Sequence, residues 1–404
     1  MAWGRVRRYA SWMRQLDMVE LPILGGDTFL KLRLNSPPSG GWFPVLRILY
    51  WTMVENSLPY ADLFFSPHLE EISLFTPLSW DVLGTPLGIL PAIASVISTL
   101  PTSDLRFLEV HGWTEIPWEC LADSLTSVLL RCRPSFTQLT SPIPLSDVAA
   151  NHLMQLPHLS NWVIYGPPPN YSSLSSPLTF PPLETLTFKE GVVRGWLSLF
   201  NRLEDDVSAA QEVAPLSKVK QSLKALIIKD LPGLTVDTSL ASPIQKFRNL
   251  TRLDADIECH KGQCIFKLNN DDVTELAMTL PRLECFRLGR TCCSNTCATT
   301  VACLLQISIH CLELDDLEIH FNTTNIVEDF KRISEDPRLQ QLRSLPRCPL
   351  QSLRSCYRMP LTLDESGVET VASGMIDIFP SLRRPGWDGS WDNVSKRIEE
   401  LRKM

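Results

Sequence analysis

The sequence has 404 residues, 44% of them hydrophobic and 21% charged, and a formal net charge of -7. That balance lies near globular averages and excludes the low-hydrophobicity, high-charge signature of disorder. The negative balance supplies no cationic field for phosphates, so nucleic acid is not an expected partner.

At the N-terminus, Arg5, Arg7, Arg8 and Arg14 precede the first acid, Asp17. Trp3, Val6, Tyr9, Ala10, Met13 and Leu16 recur at three- and four-residue intervals, which predicts an amphipathic helix capping the fold. No hydrophobic leader core follows Met1. The longest apolar stretch, Pro86 to Leu100, is too short to cross a bilayer and is interrupted by Pro91. A cytoplasmic or nuclear protein with no membrane partner is the expectation. The twelve cysteines are then expected to be thiols, and the sequons at Asn170, Asn249, Asn322 and Asn393 to carry no glycan.

A short phrase, Leu-x-x-Leu-x-Leu with apolar substitutes, organises the rest. It occurs as Phe29, Leu32, Leu34; Leu46, Leu49, Trp51; Leu69, Ile72, Leu74; and Leu105, Leu108, Val110. Leu125, Val128, Leu130 and Leu159, Trp162, Ile164 continue it. Leu183, Leu186, Phe188; Leu223, Leu226, Ile228; Leu283, Phe286, Leu288; and Leu314, Leu317, Ile319 follow, with weaker copies from Leu250, Leu350 and Leu382. The last two apolar residues of each phrase, two apart, share one face of a short strand, and the first closes the approaching turn.

Between phrases lie segments with helical spacing: Asp147 to Gln155, Val193 to Glu212, Asp271 to Thr279, Thr299 to Ile309 and Glu365 to Phe379. Several end in Leu156-Pro157, Leu280-Pro281 or Phe379-Pro380, where proline turns the preceding residue out of the α conformation. One unit is therefore helix, proline stop, strand. Such a unit buries its apolar side only by stacking on copies of itself.

The expected fold is an α/β, irregular leucine-rich-repeat-like solenoid, with parallel strands on the concave face and helices on the convex face. Its expected organisation is a capping helix and entry segment over 1–28, the solenoid over 29–389 and a capping helix over 390–404. Trp387 and Trp391 with Val394, Ile398 and Leu401 would form the last cap. The interval between phrases varies from about 17 to 40 residues, against roughly 20 to 29 in standard leucine-rich repeats. The competing reading is a two-domain α/β protein whose strands follow Leu-Pro pairs. Asn35 to Trp42, Gly166 to Pro182 and Glu258 to Asp272 read as surface loops.

Chemistry is harder to find. No phosphate loop, dinucleotide fingerprint, nucleophile elbow or His-Glu-x-x-His motif is present, so neither an enzyme nor a bound cofactor is expected. Cys259, His260, Cys264, Cys285, Cys292, Cys293, Cys297, Cys303 and Cys311 cluster, but only Cys293 to Cys297 has knuckle spacing. Cys303, among Val301, Leu304 and Leu305, reads as a small hydrophobe, and the group is read as core and loop cysteines with no metal. The pairs Asp205-Asp206, Asp271-Asp272 and Asp315-Asp316 are read as solvated charge. Asp271 and Asp272 also suit the first turn of a helix.

Residues between the two apolar positions of a phrase point the other way, to the concave surface. The middle positions are Arg33, Tyr50, Ser73, Glu109, Leu129, Val163, Thr187, Ile227, Asp254, Arg287 and Glu318. Leu129, Val163 and Ile227 would form an apolar centre; Asp254, Arg287 and Glu318 would form a charged stretch with Lys189, Lys229, Arg252, Asp256 and His320 as neighbours. An apolar anchor beside charged selectors suits a protein partner. The alternative is that a loop such as Gly166 to Pro182 covers the apolar members.

Several longer phrases add a resemblance. Val6-Arg7-Arg8-Tyr9-Ala10, Leu58 to Leu69, Ser141-Pro142-Ile143-Pro144-Leu145-Ser146-Asp147, Arg194-Gly195-Trp196-Leu197-Ser198-Leu199-Phe200 and Asp377 to Leu382 with Trp391-Asp392 carry it. The chain resembles the F-box/leucine-rich-repeat-like proteins of mushroom-forming fungi over nearly its whole length. The resemblance implies an adaptor: an F-box docks on a Skp-type subunit of a cullin ubiquitin ligase, and the repeat face selects a protein substrate. With repeats read from Phe29 onward, no room is left for an F-box before them. A Skp-type partner is thus expected only if an F-box lies upstream of this sequence; the alternative is an F-box-less repeat scaffold without a ubiquitin role.

Overall fold

The computed structural model describes residues 2–19, 26–36, 41–54, 57–76, 89–112, 117–165, 181–189, 221–229, 238–256, 267–288, 297–342, 347–355, 362–385 and 391–404. They form two compact units, Met1–Leu183 and Glu184–Met404.

The first unit runs α1 (Ala2–Ala10), β1 (Gln15–Met18), α2 (Gly26–Leu34), β2 (Ile48–Thr52), a 3-10 turn at Leu58–Leu63, β3 (Glu71–Phe75) and α3 (Leu90–Ser98). It continues with β4 (Phe107–His111), a 3-10 turn at Trp118–Leu121, α4 (Ala122–Leu129), β5 (Gln138–Thr140), α5 (Asp147–Gln155) and β6 (Asn161–Ile164). Its strands pair parallel, each with the next in the chain.

The second unit runs β7 (Thr185–Lys189), β8 (Ala225–Lys229), α6 (Thr238–Ile244), β9 (Arg252–Asp256), α7 (Asn270–Thr279), β10 (Cys285–Leu288), α8 (Ala302–His310) and β11 (Asp316–Ile319). Then come α9 (Ile326–Ser334), α10 (Pro337–Leu342), β12 (Ser352–Ser355), α11 (Glu365–Ile378), β13 (Arg384–Pro385) and α12 (Asp392–Leu401). Here too every strand is parallel to its chain neighbour. Each unit is an α/β leucine-rich-repeat-like solenoid, one strand per repeat.

The phrase explains the geometry. Its first leucine, as in Leu46, Leu69, Leu159, Leu250, Leu283 and Leu314, is wholly buried and closes a tight turn through its own amide, for example Leu283 to the Leu280 carbonyl at 3.3 Å. The carbonyl just before a strand then accepts two successive amides from the next repeat: Glu70 takes Arg106 and Phe107 at 2.8 and 3.0 Å, and Thr251 takes Glu284 and Cys285 at 2.7 and 3.0 Å. Strand pairing therefore starts at the same phrase position in each copy. Buried alternates such as Leu49 and Trp51, Leu108 and Val110, Leu226 and Ile228, and Phe286 and Leu288 line one side of the sheet. Each such side chain contributes roughly 1.5–3 kcal/mol when fully removed from water.

Helix boundaries follow local chemistry. Ser146 starts α5 by accepting the Ala149 amide at 3.2 Å, and Asp364 starts α11 by accepting that of Gly367 at 2.7 Å. Asn269 and Asp272 form a reciprocal capping box on α7, so Asp271 and Asp272 occupy its first turn as the sequence predicts. Before the prolines, Leu156, Leu280 and Phe379 all leave the α region, with ψ of 119°, 59° and 80°. Where α9 meets α11, a Cβ on Gly374 would stand 2.4 Å from the Phe330 ring, so only glycine permits this approach.

Three expectations need correction. Phe29, Leu32 and Leu34 lie on α2, not on a strand, and Leu34 is largely exposed. Leu125, Val128 and Leu130 belong to α4 and its C-cap; the strand of that repeat is β5, whose phrase is Phe136, Leu139, Ser141. The N-terminal helix stops at Ala10, and Leu16 lies in β1, which pairs with β2. Apolar periodicity of three and four residues fits a helix, and a strand phrase placed on it by leucine spacing alone yields to that periodicity. Val6 and Tyr9 of α1 are exposed, while Trp3 packs on Trp42 at 5.6 Å. The segment Val193 to Glu212 and most of the loop Gly166 to Pro182 lie outside the described residues.

Replacing the fully buried Phe286 by alanine is expected to cost about 3–5 kcal/mol in urea-induced unfolding followed by tryptophan fluorescence. Gly374→Ala should cost about 1–3 kcal/mol by overpacking against Phe330, whereas Gly4→Ala, with open space around it, should cost nothing.

Candidate protein-binding face

In both units the apolar side of the strands is closed and the opposite side is left partly open. Along β2, β4, β6, β8 and β10 buried positions alternate with half-exposed ones. This open side is the candidate site.

In the first unit, register aligns Asp17, Tyr50, Ser73, Glu109, Thr140 and Val163 in one row. Glu71 and Phe107 share the row before it, and Phe75 and His111 the row after. The Glu109 carboxylate is held from both sides, by His111 Nε2 at 2.8 Å and by the Ser73 hydroxyl, which donates at 3.1 Å. The hydrogen bond from His111, with its charge and the Ser73 bond, outweighs partial burial and holds this carboxyl below the ordinary range. His111 in turn stacks on Phe75, ring centroids 4.7 Å apart and planes within 10°.

In the second unit the corresponding row is Thr187, Ile227, Asp254, Arg287, Glu318 and Arg354. Cations and anions interlock across β9 to β12. Arg252 pairs with Asp254 at 2.5 Å, and Arg287 reaches Asp254 at 3.6 Å. Arg287 also donates from Nε to Asp316 at 2.8 Å. Arg354 joins Asp316 at 3.1 Å to Glu318 at 3.4 Å. Partial burial pushes the Asp316 carboxyl up, but its bonds to Arg287 and the charges of Arg354 and Arg287 prevail and leave it below its ordinary pKa. Three arginines and three acids thus neutralise one another.

The structure sorts the residues predicted to touch a partner. Val163, Ile227, Arg252 and Arg287 stand on the open side, half-buried or better exposed, with Lys189 half-buried and Lys229 exposed at paired positions of β7 and β8. Thr187, Asp254 and Glu318 share the rows but are each more than nine-tenths buried among their neighbours. Asp256 ends β9, and its side chain lies outside the described residues. His320, just past β11, is 1% exposed and offers a partner no surface.

Leu129 is a correction: it ends α4, is wholly buried, and takes no part in the face, because the true strand of its repeat lies nine residues further on. Arg33 is likewise on α2, paired with Asp62 at 2.6 Å. Sequence spacing missed Asp17, Thr140, Asp316 and Arg354. The signal for Arg354 was present in the weak phrase from Leu350; for Thr140 it was hidden by a serine at the third apolar position.

Most described cysteines are buried and poorly disposed to thiolate chemistry, although Cys120 is exposed. Burial pushes the thiols of Cys132 and Cys311 up to about 12 and that of Cys348 up to about 11, and raises Cys303 further still. Cys297 is also buried, while Cys259, Cys264, Cys292 and Cys293 lie outside the described residues. Among the described residues no group of three or more His, Cys, Asp or Glu side chains could hold a metal ion. Among them, too, no helix is long and apolar enough to cross a membrane.

Arg287→Ala should destabilise the second unit by about 1–3 kcal/mol, since Asp254 and Asp316 each lose a partner in a half-buried setting. Because the folded pKa of Asp316 is depressed, its contribution is present above the unfolded carboxyl value near 3.9 and lost as pH falls through the lower folded value. Thermal melts between about pH 5 and 2 should therefore decline less steeply for Asp316→Asn than for the native chain, the pH range being that of carboxylate protonation.

No family model matches this chain, and no curated protein matches it. Among solved structures it is similar to an internalin of Listeria monocytogenes, at 11% identity, covering 88% of this chain and 80% of that one, with a TM-score of 0.30. A similarity this low bears on neither fold nor function.

Proposed function

We propose that this chain is a non-catalytic interaction scaffold that holds a protein partner on the open side of its strands. The observation that carries this reading is one-sided burial: parallel sheets ordinarily have both faces covered, and here one face keeps rows of half-exposed polar, charged and aromatic side chains. Such mixed surfaces, with aromatic and arginine anchors, suit protein recognition.

The finer reading is the substrate-recognition region of an F-box-type ubiquitin ligase adaptor. Its support is the resemblance of Leu58 to Leu69, Ser141 to Asp147 and Asp377 to Leu382 to fungal F-box/leucine-rich-repeat-like proteins. The second reading, a repeat scaffold without a ubiquitin role, needs only the open face.

A photo-crosslinking residue placed at Tyr50 or at Arg287 should give covalent partner adducts in the source cell, and one at the exposed Val148 of α5 should not. Equal labelling from Val148 removes the strand-face reading. Recovery of a Skp-type subunit with the chain, or with a form extended upstream, supports the adaptor role; recovery with neither leaves the plain scaffold.

A further inference from the structure

The two strand faces are electrostatically unlike. In the second unit every described arginine of the β9 to β12 rows already has a carboxylate on it. In the first unit the described rows through β1 to β6 hold Asp17, Glu71 and Glu109 but no lysine or arginine. Acids elsewhere in that unit do find cations: Glu70 has Arg47 at 3.0 Å and Asp62 has Arg33 at 2.6 Å. Arg33 and Arg47 are thus paired off the face, and the other arginines beside the described strands, Arg14 and Arg106, flank the rows without entering them.

The three acids converge on an aromatic centre. Tyr50 lies between Asp17 and Ser73 in register, with Glu71 one row back and Glu109 two strands away. Its phenol is raised above its ordinary pKa first by burial and then by the charges of Glu71, Glu109 and Asp17, so all three act on one point. Around it the Phe75 and Phe107 rings are half-exposed, as Tyr50 is. The acids nevertheless cannot close on one small cation. Asp17 and Glu71 stand two strands and one facing row apart, about 12 Å at a strand spacing of about 4.8 Å and a rise of about 3.3 Å per residue, and Glu109 is already turned to His111 and Ser73.

We propose that this face of the first unit binds an arginine-bearing segment of a partner protein, its guanidinium groups paired with Asp17 and Glu71 and stacked on the rings around Tyr50. Guanidinium is the group that matches both features, because it forks onto a carboxylate and lays a flat, weakly hydrated face on an aromatic ring; an ammonium does only the first well. The inference rests on the scaffold reading above and narrows its partner.

The test uses the full chain and fluorescence anisotropy with a labelled hexa-arginine peptide at physiological salt, where exposed charges farther apart than about 8 Å are screened. Saturable binding is expected, with hexa-lysine weaker and hexa-glutamate absent. Asp17→Asn with Glu71→Gln should weaken it by about tenfold, a loss of ordinary size for two charge pairs. Tyr50→Ala, which leaves net charge unchanged, should weaken it by about fivefold through lost stacking. Glu313→Gln with Glu399→Gln, the same charge change at exposed sites elsewhere, should have no effect; circular dichroism checks that each variant is folded.

Absence of saturable binding overturns the assignment, as does equal binding of hexa-lysine. So does an unaffected Tyr50→Ala, or a control pair as damaging as the face pair, since either marks general attraction to an acidic chain. If hexa-arginine fails while partner adducts still form from Arg287, the scaffold role stands and this assignment falls. Loss of adducts from both faces removes the scaffold role itself.

Discussion

The structure depends on a hydrogen-bonding constraint that recurs at the entrance to strands β2 to β6 and β8 to β12. One carbonyl accepts two successive amides from the following repeat, as Arg47 does from Glu70 and Glu71 and Glu284 does from Asp315 and Asp316. That bond pair fixes where a strand starts against its predecessor. A slip of one residue would turn the buried set outward, so the same contact that orders the strands also decides which side chains meet water.

From that constraint follow the two different uses of the open side. Facing positions stack across strands at close range, so a charge on one strand is answered or repelled by the next. In the second unit the answers are internal: Asp254, Arg287, Asp316 and Arg354 lock neighbouring repeats together, and the charges of that row are satisfied within the unit. Replacing such bonds with bonds to a partner gains little, because each new pair is offset by an old one broken. In the first unit Asp17 and Glu71 face no lysine or arginine within their rows; Asp17 accepts only the Val19 amide, at 3.0 Å, so neither charge is neutralised inside the face.

The helices serve the same plan from the other side. Capping residues and proline stops set their lengths, so each returns the chain to the next strand entrance. Close approaches such as that of Gly374 to Phe330 seat one helix on its neighbour. Buried cysteines, Cys303 and Cys311 among them, fill this layer as small apolar groups, and desolvation keeps their thiols protonated.

By itself the sequence determined the parallel repeat architecture, the closed apolar side and most of one facing row in each unit. Those are local properties: residues two apart on a strand share a face, and a proline ends a helix wherever the chain goes afterwards. The identity of the strand in two repeats was decided only by tertiary packing. Leu125 to Leu130 fits the strand phrase and a helix stripe equally well, and β5, with Ser141 where an apolar residue was expected, is held by its neighbours' ladder bonds. The pairing of charges was beyond sequence as well. Nothing in spacing tells that Arg354 reaches Asp316 from 38 residues away, because that distance is set by register across the sheet. What separates the balanced second face from the unanswered acids of the first is therefore a property of the stack, written in no single repeat.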